Sequence, residues 1–148
     1  MARCHPGCPE MAGSHRMSNL VRPKLVVADA AAAIDFYTRV LGAAEIVRYL
    51  AGGSVVFAEL ALLGSSVTLK DADHYDPVLD PGPILDVLVD DPDVLAEAML
   101  AAGASVVYEM SDQPFGGRWG RVRDPFGIQW LLQTPVTMSP EEIQRLLT

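Results

Sequence analysis

Hydrophobic and polar positions alternate over residues 21–28 (V-R-P-K-L-V-V-A), with Pro23, Leu25 and Val27 on one side and Arg22, Lys24 and Val26 on the other. A period of two predicts a strand with one buried face. The pattern then changes to an Ala-rich run, Ala30 to Leu41, preceded by Asp29 and followed by Gly42. Good helix formers between an N-cap aspartate and a C-cap glycine predict a helix. Three further strands are expected at about 44–50, 55–62 and 66–70, divided by Gly52-Gly53 and Gly64. The order is β-α-β-β-β.

The same order returns after residue 83. Ile84 to Val89 reads as a strand, Asp90-Asp91 as a cap with Pro92 in the first turn, and a helix runs to Ala102 before Gly103. Strands at about 105–110, 118–123 and 129–133 complete the unit, and Asp124-Pro125-Phe126-Gly127 supplies the tight turn of the last hairpin. The spacing supports a repeat: Asp29 and Asp91 are 62 apart, Gly42 and Gly103 61, and Gly64 and Gly127 63. The organisation expected is a leader (1–19), a first module (20–70), a linker (71–83), a second module (84–134) and a C-terminal helix (139–147). That helix is opened by the capping box Ser139-Pro140-Glu141-Glu142 and striped by Ile143, Leu146 and Leu147, a stripe that should dock on the body or on a second subunit.

The fold class that follows is α+β: two βαβββ modules forming a curled mixed sheet around a cup, with the helices on the outer face. Strand parity assigns the faces. Leu85, Val87 and Val89 should meet the second helix, leaving Ile84, Asp86 and Leu88 for the cup. Trp130 and Leu132 should pack under the helix, while Gln129, Leu131 and Gln133 look into the cup.

Composition narrows the function classes. Half of the 148 residues are hydrophobic, enough for one core, and no stretch is long and apolar enough to span a bilayer. Residues 1–19 lack the apolar centre of a secretory signal, so a cytoplasmic setting is expected. A net charge of −8 disfavours nucleic acid and anionic membrane as partners and suits a neutral or cationic small ligand. Cys4, His5, Cys8 and His15 fit no usual zinc spacing and lie in the expected leader.

The Gly-rich approach Gly116-Gly117-Arg118-Trp119-Gly120 and the Asp124-Pro125-Phe126-Gly127 turn resemble the closing hairpin of the vicinal-oxygen-chelate superfamily. This superfamily includes glyoxalase I, the bleomycin-resistance proteins and the extradiol dioxygenases, and the likeness is nearest to its PhnB-like branch. Phe36-Tyr37 matches the usual F-Y of its first helix, where packing is the expected role. Ile128 departs from the branch, in which a His commonly follows the turn. In catalytic members a divalent metal is held by His and Glu from the first and last strand of each module. Those positions carry over to Arg22, Thr68, Ile84 and Leu131. Arg is cationic, Ile and Leu offer no donor atom, and a lone Thr hydroxyl is a poor ligand, so no metal and no cofactor are expected.

The cup then offers Arg22, Lys24, Thr68, Asp86, Gln129 and Gln133 for polar contacts, with Phe115, Trp119 and Tyr75 at its rim. Lys24 and Asp86 occupy equivalent places and are expected to pair, or to admit a ligand's polar group between them. Asp86 and Glu59 are the candidate general bases, with Glu109 behind them. Arg118, Arg121 and Arg123 are expected on one solvated face. The leading reading is metal-independent binding of an aromatic or cationic compound by a homodimer. A metal-free lyase or isomerase of the same fold, and an accessory dimer with a filled cup, remain open alternatives.

Overall fold

The computed structural model describes residues 19–148. The expectations for Cys4, His5, Cys8 and His15 lie outside the described residues. The first module comprises β1 (Lys24–Val27), α1 (Ala30–Leu41), β2 (Ala44–Ala51), β3 (Ser54–Leu62) and β4 (Ser65–Asp71). The second comprises β5 (Ile84–Leu88), α2 (Pro92–Ala101), β6 (Ser105–Asp112), β7 (Arg118–Arg123) and β8 (Gln129–Gln133), followed by α3 (Pro140–Leu147).

Local sequence accounts for the element ends. Asp29 accepts a hydrogen bond from the Ala32 amide and Asp91 one from the Val94 amide, satisfying N–H groups that the first turn of each helix leaves free. Gly42 closes α1 in the left-handed region at φ 69°. Asp71, at the end of β4, takes the Ala30 amide on one oxygen and the Val55 amide on the other, tying helix start to strand β3. In the second module the helix ends at Ala101, one residue earlier than predicted, with Ala102 as the cap and Gly103, the predicted stop, following at φ 112°.

Each module is a mixed four-stranded sheet. The orders are β1-β4-β3-β2 and β5-β8-β7-β6, with β1 parallel to β4, β5 parallel to β8 and the remaining pairs antiparallel. The architecture is therefore α+β with one βαβββ module repeated, as the hydrophobic pattern predicts. Among the described residues no strand of one sheet pairs with a strand of the other.

Helix-facing residues of both sheets enter one core. Leu25, Val27, Leu60 and Leu69 from the first sheet and Val122, Trp130 and Leu132 from the second are all buried in it. The modules meet through α1: the Tyr37 ring packs edge-on to Trp130 with centroids 5.5 Å apart, and Phe36 packs on Phe126 at 5.9 Å. At the centre sits the turn carboxylate Asp124, 3% exposed. It accepts from the Tyr37 hydroxyl, from Trp130 Nε1 at 2.9 Å, and from the amides of Phe126 and Ile128 at 2.9 and 3.1 Å. Four donors on one carboxylate satisfy a charge that would otherwise be costly to bury. Because both helix faces feed this core, the other face of each sheet points away from it.

The capping box of α3 forms as predicted, with Ser139 accepting from the Glu142 amide and Glu142 from the Ser139 amide. None of its residues is buried, and α3 makes no close approach to another helix or strand among the described residues. Of its apolar stripe, Ile143 is half-buried while Leu146 and Leu147 stay exposed. Among the described residues no helix is long and apolar enough to cross a membrane.

Candidate functional site

The faces turned away from the helices carry the polar and aromatic residues of interest. On the first sheet, β3 and β4 present Phe57, Glu59, Ser66, Thr68 and Lys70, and β1 presents Lys24. Arg22 Nη1 donates to Glu59 Oε2 at 2.7 Å, the Ser66 hydroxyl donates to the same oxygen at 2.8 Å, and the Arg22 guanidinium lies 5.9 Å from the Phe57 ring centre. The Ser66 hydroxyl and the Arg22 guanidinium hold the Glu59 carboxyl below its ordinary value, so it is an anion engaged by two donors and a weak base. Thr68 is buried, with Oγ1 3.5 Å from the Pro23 carbonyl.

The linker folds over one end of this face. Lys70 donates to Asp73 at 2.8 Å and Asp76 at 2.6 Å, and Lys24 reaches Asp76 at 3.3 Å. Hydrogen bonding to Lys70 is the main cause that takes the Asp73 carboxyl down to about 2. Lys24 and Asp86 therefore do not pair, contrary to expectation. Asp86 instead accepts from Gln133 Nε2. The reason is topological: the modules join through α1 and the Asp124 turn, so the first strands are not brought side by side.

On the second sheet, β7 and β8 place Trp119, Arg121 and Arg123 beside Gln133, Leu131 and Gln129. Gln129 is 5% exposed, donates to the Gly82 carbonyl at 3.0 Å and accepts from Arg121 Nη1 at 3.3 Å. Arg121 lies 5.2 Å from the centre of the Tyr108 ring, and Tyr108 meets Trp119 edge-on at 6.0 Å. Arg118 does not share this face. It stands three residues before Arg121, an odd step that turns it to the helix side, where it forms a two-bond fork to Asp93 on α2 at 2.7 and 2.9 Å. The expected solvated arginine face is thus corrected twice: Arg118 leaves it, and Arg121 and Arg123 are half-buried on the recessed side.

The candidate residues consequently fall into two groups on separate sheets: Arg22, Lys24, Glu59 and Thr68 on the first, and Asp86, Trp119, Gln129 and Gln133 on the second. Phe115 stands apart in the 113–117 turn, half-buried where its carbonyl accepts the Met138 amide, and Tyr75 is an exposed linker tip. Sequence reasoning missed Tyr49, Tyr108, Arg121 and Arg123. The last two were legible, since 119, 121 and 123 share one parity.

A Lewis-acid ion of the kind held by catalytic relatives does not fit these residues. Arg22 is ion-paired, Thr68 is buried against a carbonyl, and Ile84 and Leu131 are hydrocarbon. Among the described residues no three His, Cys, Asp or Glu side chains converge. A groove of about 470 Å³ runs between the modules along the free edge of β5, walled by Pro23, Leu62, Val67, Trp130 and β5 itself. Its walls are mainly aliphatic, and Asp86 is the candidate general base on them.

The sequence profile described as the Glyoxalase/Bleomycin resistance protein/Dioxygenase superfamily matches residues 19–132. An uncharacterised protein of Mycobacterium bovis is 37% identical over 137 residues, spanning 85% of this chain and 90% of its own. In fold the chain resembles TioX from Micromonospora sp. ML1 (TM-score 0.64, 28% identity, 79% of this chain and 98% of that one). It also resembles a PhnB protein from Bacillus cereus (TM-score 0.60, 19% identity, 79% and 100%). The profile match over most of the chain, with the repeated βαβββ modules and the D-P-F-G hairpin, places this protein in the glyoxalase/bleomycin-resistance/dioxygenase superfamily.

Proposed function

We propose that this chain is a metal-independent binding protein for a planar aromatic small molecule, working as a homodimer. The observation that carries the reading is an aromatic pair at corresponding places on the two recessed faces. Tyr49 stacks on Phe57 in the first sheet with centroids 5.9 Å apart, and Tyr108 meets Trp119 in the second. Phe57 and Trp119 are 62 residues apart, the same offset as the two helix caps. Tyr49 and Tyr108 are more than half exposed, and large aromatics left open beside arginines are suited to stacking on a flat ligand. The acids on these faces are already occupied by Arg22, Lys24, Lys70 and Gln133, which argues against the cationic ligand that net charge suggests.

A second copy supplies what one chain lacks. Within a chain the two faces point away from the shared core, and β1 and β5 each keep one unpaired edge among the described residues. Ile84 and Leu88 on β5 are 49% and 65% exposed, an apolar edge suited to burial against another chain. A dimer that sets the first sheet of one copy against the second sheet of the other forms a closed cup between two aromatic pairs.

The test is calorimetric titration of chelator-treated protein with a panel of bicyclic aromatics, alongside sedimentation velocity. Binding that survives the chelator, weakens about two- to tenfold in Trp119→Leu, and belongs to a dimer supports the reading. A monomer that binds none of the panel overturns it.

A further inference from the structure

The two recessed faces differ in how their cations are used. Arg22, Lys24, Arg39, Arg48, Lys70 and Arg118 each hold a carboxylate. Arg121 and Arg123 hold none among the described residues, although acidic side chains outnumber basic ones 19 to 11 in the chain. Both are half-buried, and the Nε of each is fully enclosed with no hydrogen-bond partner among the described residues. A buried, unpaired guanidinium N–H is costly, and two side by side repel. We propose that Arg121 and Arg123 form an anion subsite, and that the ligand is a planar aromatic carrying a carboxylate or a group of like charge. The proposal rests on the binding reading above and deepens it.

The strand fixes the geometry. Side chains two residues apart on one face are about 7 Å apart, so one carboxylate can be shared by both forks or gripped by one and faced by the other. Trp119 lies about 7 Å beyond Arg121 on the same face, with Tyr108 against both. A ring system on Trp119 and Tyr108 thereby places its acid group at Arg121 and Arg123. Gln133 flanks Trp119 at the far end of the face, and its partner Asp86 lies two strands from Arg121 in the same cross-sheet row. Gln129 stands across from Arg123, its side-chain oxygen already receiving Arg121 Nη1, which leaves the terminal Nη groups, rather than the enclosed Nε, to meet the ligand.

The experiment compares three probes of one shape on the full chain by calorimetry: 2-naphthoate, the neutral 2-naphthalenemethanol and the cationic 2-naphthylmethylammonium. The naphthoate should bind at least tenfold tighter than the alcohol, with the ammonium weakest, and raised ionic strength should erode both the naphthoate's advantage and the ammonium's handicap while leaving the alcohol unchanged. Arg121→Gln and Arg123→Gln should each weaken naphthoate about tenfold and the alcohol much less, so that the naphthoate-to-alcohol ratio falls. The ionic-strength comparison on the unaltered protein decides the matter if a variant folds poorly. Equal or tighter binding of the alcohol or the ammonium overturns the anion subsite and leaves the aromatic-binding reading standing. Binding of none of the three overturns both.

Discussion

Tyr37→Phe removes one oxygen from the joint between the modules and nothing else. The phenol donates to Asp124, while its ring packs against Phe36, Phe126 and Trp130, contacts that phenylalanine keeps. A hydrogen bond to a charged group contributes about 1.5–3 kcal/mol, and this one is buried at both ends, Tyr37 at 0% and Asp124 at 3% exposure. Asp124 retains three donors in the variant, so the loss should stay within that range rather than reach the cost of an unpaired buried charge. For a chain of this length the change corresponds to a fall in Tm of about 4–10 °C. Urea unfolding followed by far-UV circular dichroism and by tryptophan fluorescence should show a lower midpoint with unchanged slope and coincident transitions, because the bond couples the two modules in one cooperative unit. The pH dependence is a second readout. Burial first, then the Asp124 charge, raise the Tyr37 hydroxyl far above its ordinary value. The folded protein therefore keeps a proton that the unfolded chain releases near pH 10. Stability from this group is complete below that pH and declines as pH rises through it, and Tyr37→Phe should lack that part of the decline. A variant within about 0.5 kcal/mol of the parent, a typical surface-substitution effect, with an identical alkaline profile, would refute the reasoning.

Asp124→Ala strands Tyr37 Oη and Trp130 Nε1 in the core and should cost more than Tyr37→Phe, at about 1–3 kcal/mol for each stranded group; a double-mutant cycle in urea should show coupling above about 0.5 kcal/mol. The linker latch is acid-labile: Lys70 lowers Asp73 to about 2 and Asp76 in the same direction, so their contribution is present above the unfolded carboxylate range and is lost as pH falls toward 2. Lys70→Met should flatten that acid limb in urea midpoints taken across the range. Gly82→Ala places a Cβ 1.8 Å from the Gly127 carbonyl oxygen, a backbone atom that cannot step aside, so the linker must shift and release Gln129 from the Gly82 carbonyl. A loss of about 1–3 kcal/mol is expected, read as a lower thermal midpoint.

Local signals wrote most of the element boundaries. Helix α1 runs over the residues its Asp29 cap and Gly42 stop define, and β7 and β8 fall where the D-P-F-G turn dictates. β1 is shorter than its apolar alternation, because pairing with β4 covers only Lys24 to Val27 and Val21 is left 92% exposed. Asp124 was readable as a turn residue, since the amides of Phe126 and Ile128 are neighbours in sequence. Its bond to Tyr37, 87 residues away, depends on how the modules dock and has no local signature. The same long-range fact explains the mistaken Lys24–Asp86 pair, which assumed first strands side by side. The arginine error had a local cause, a step of three taken as if it kept to one face.

On the proposed function the recessed faces recognise a ligand through arginines and aromatic rings and do not grip a divalent ion. Native mass spectrometry combined with elemental analysis of the purified protein tests it most directly. It should show a dimer with Zn, Mn, Ni and Fe far below one per subunit and ligand binding unaltered by chelation. One tightly held divalent ion per subunit, with binding that disappears when the ion is stripped and returns on its addition, would contradict it.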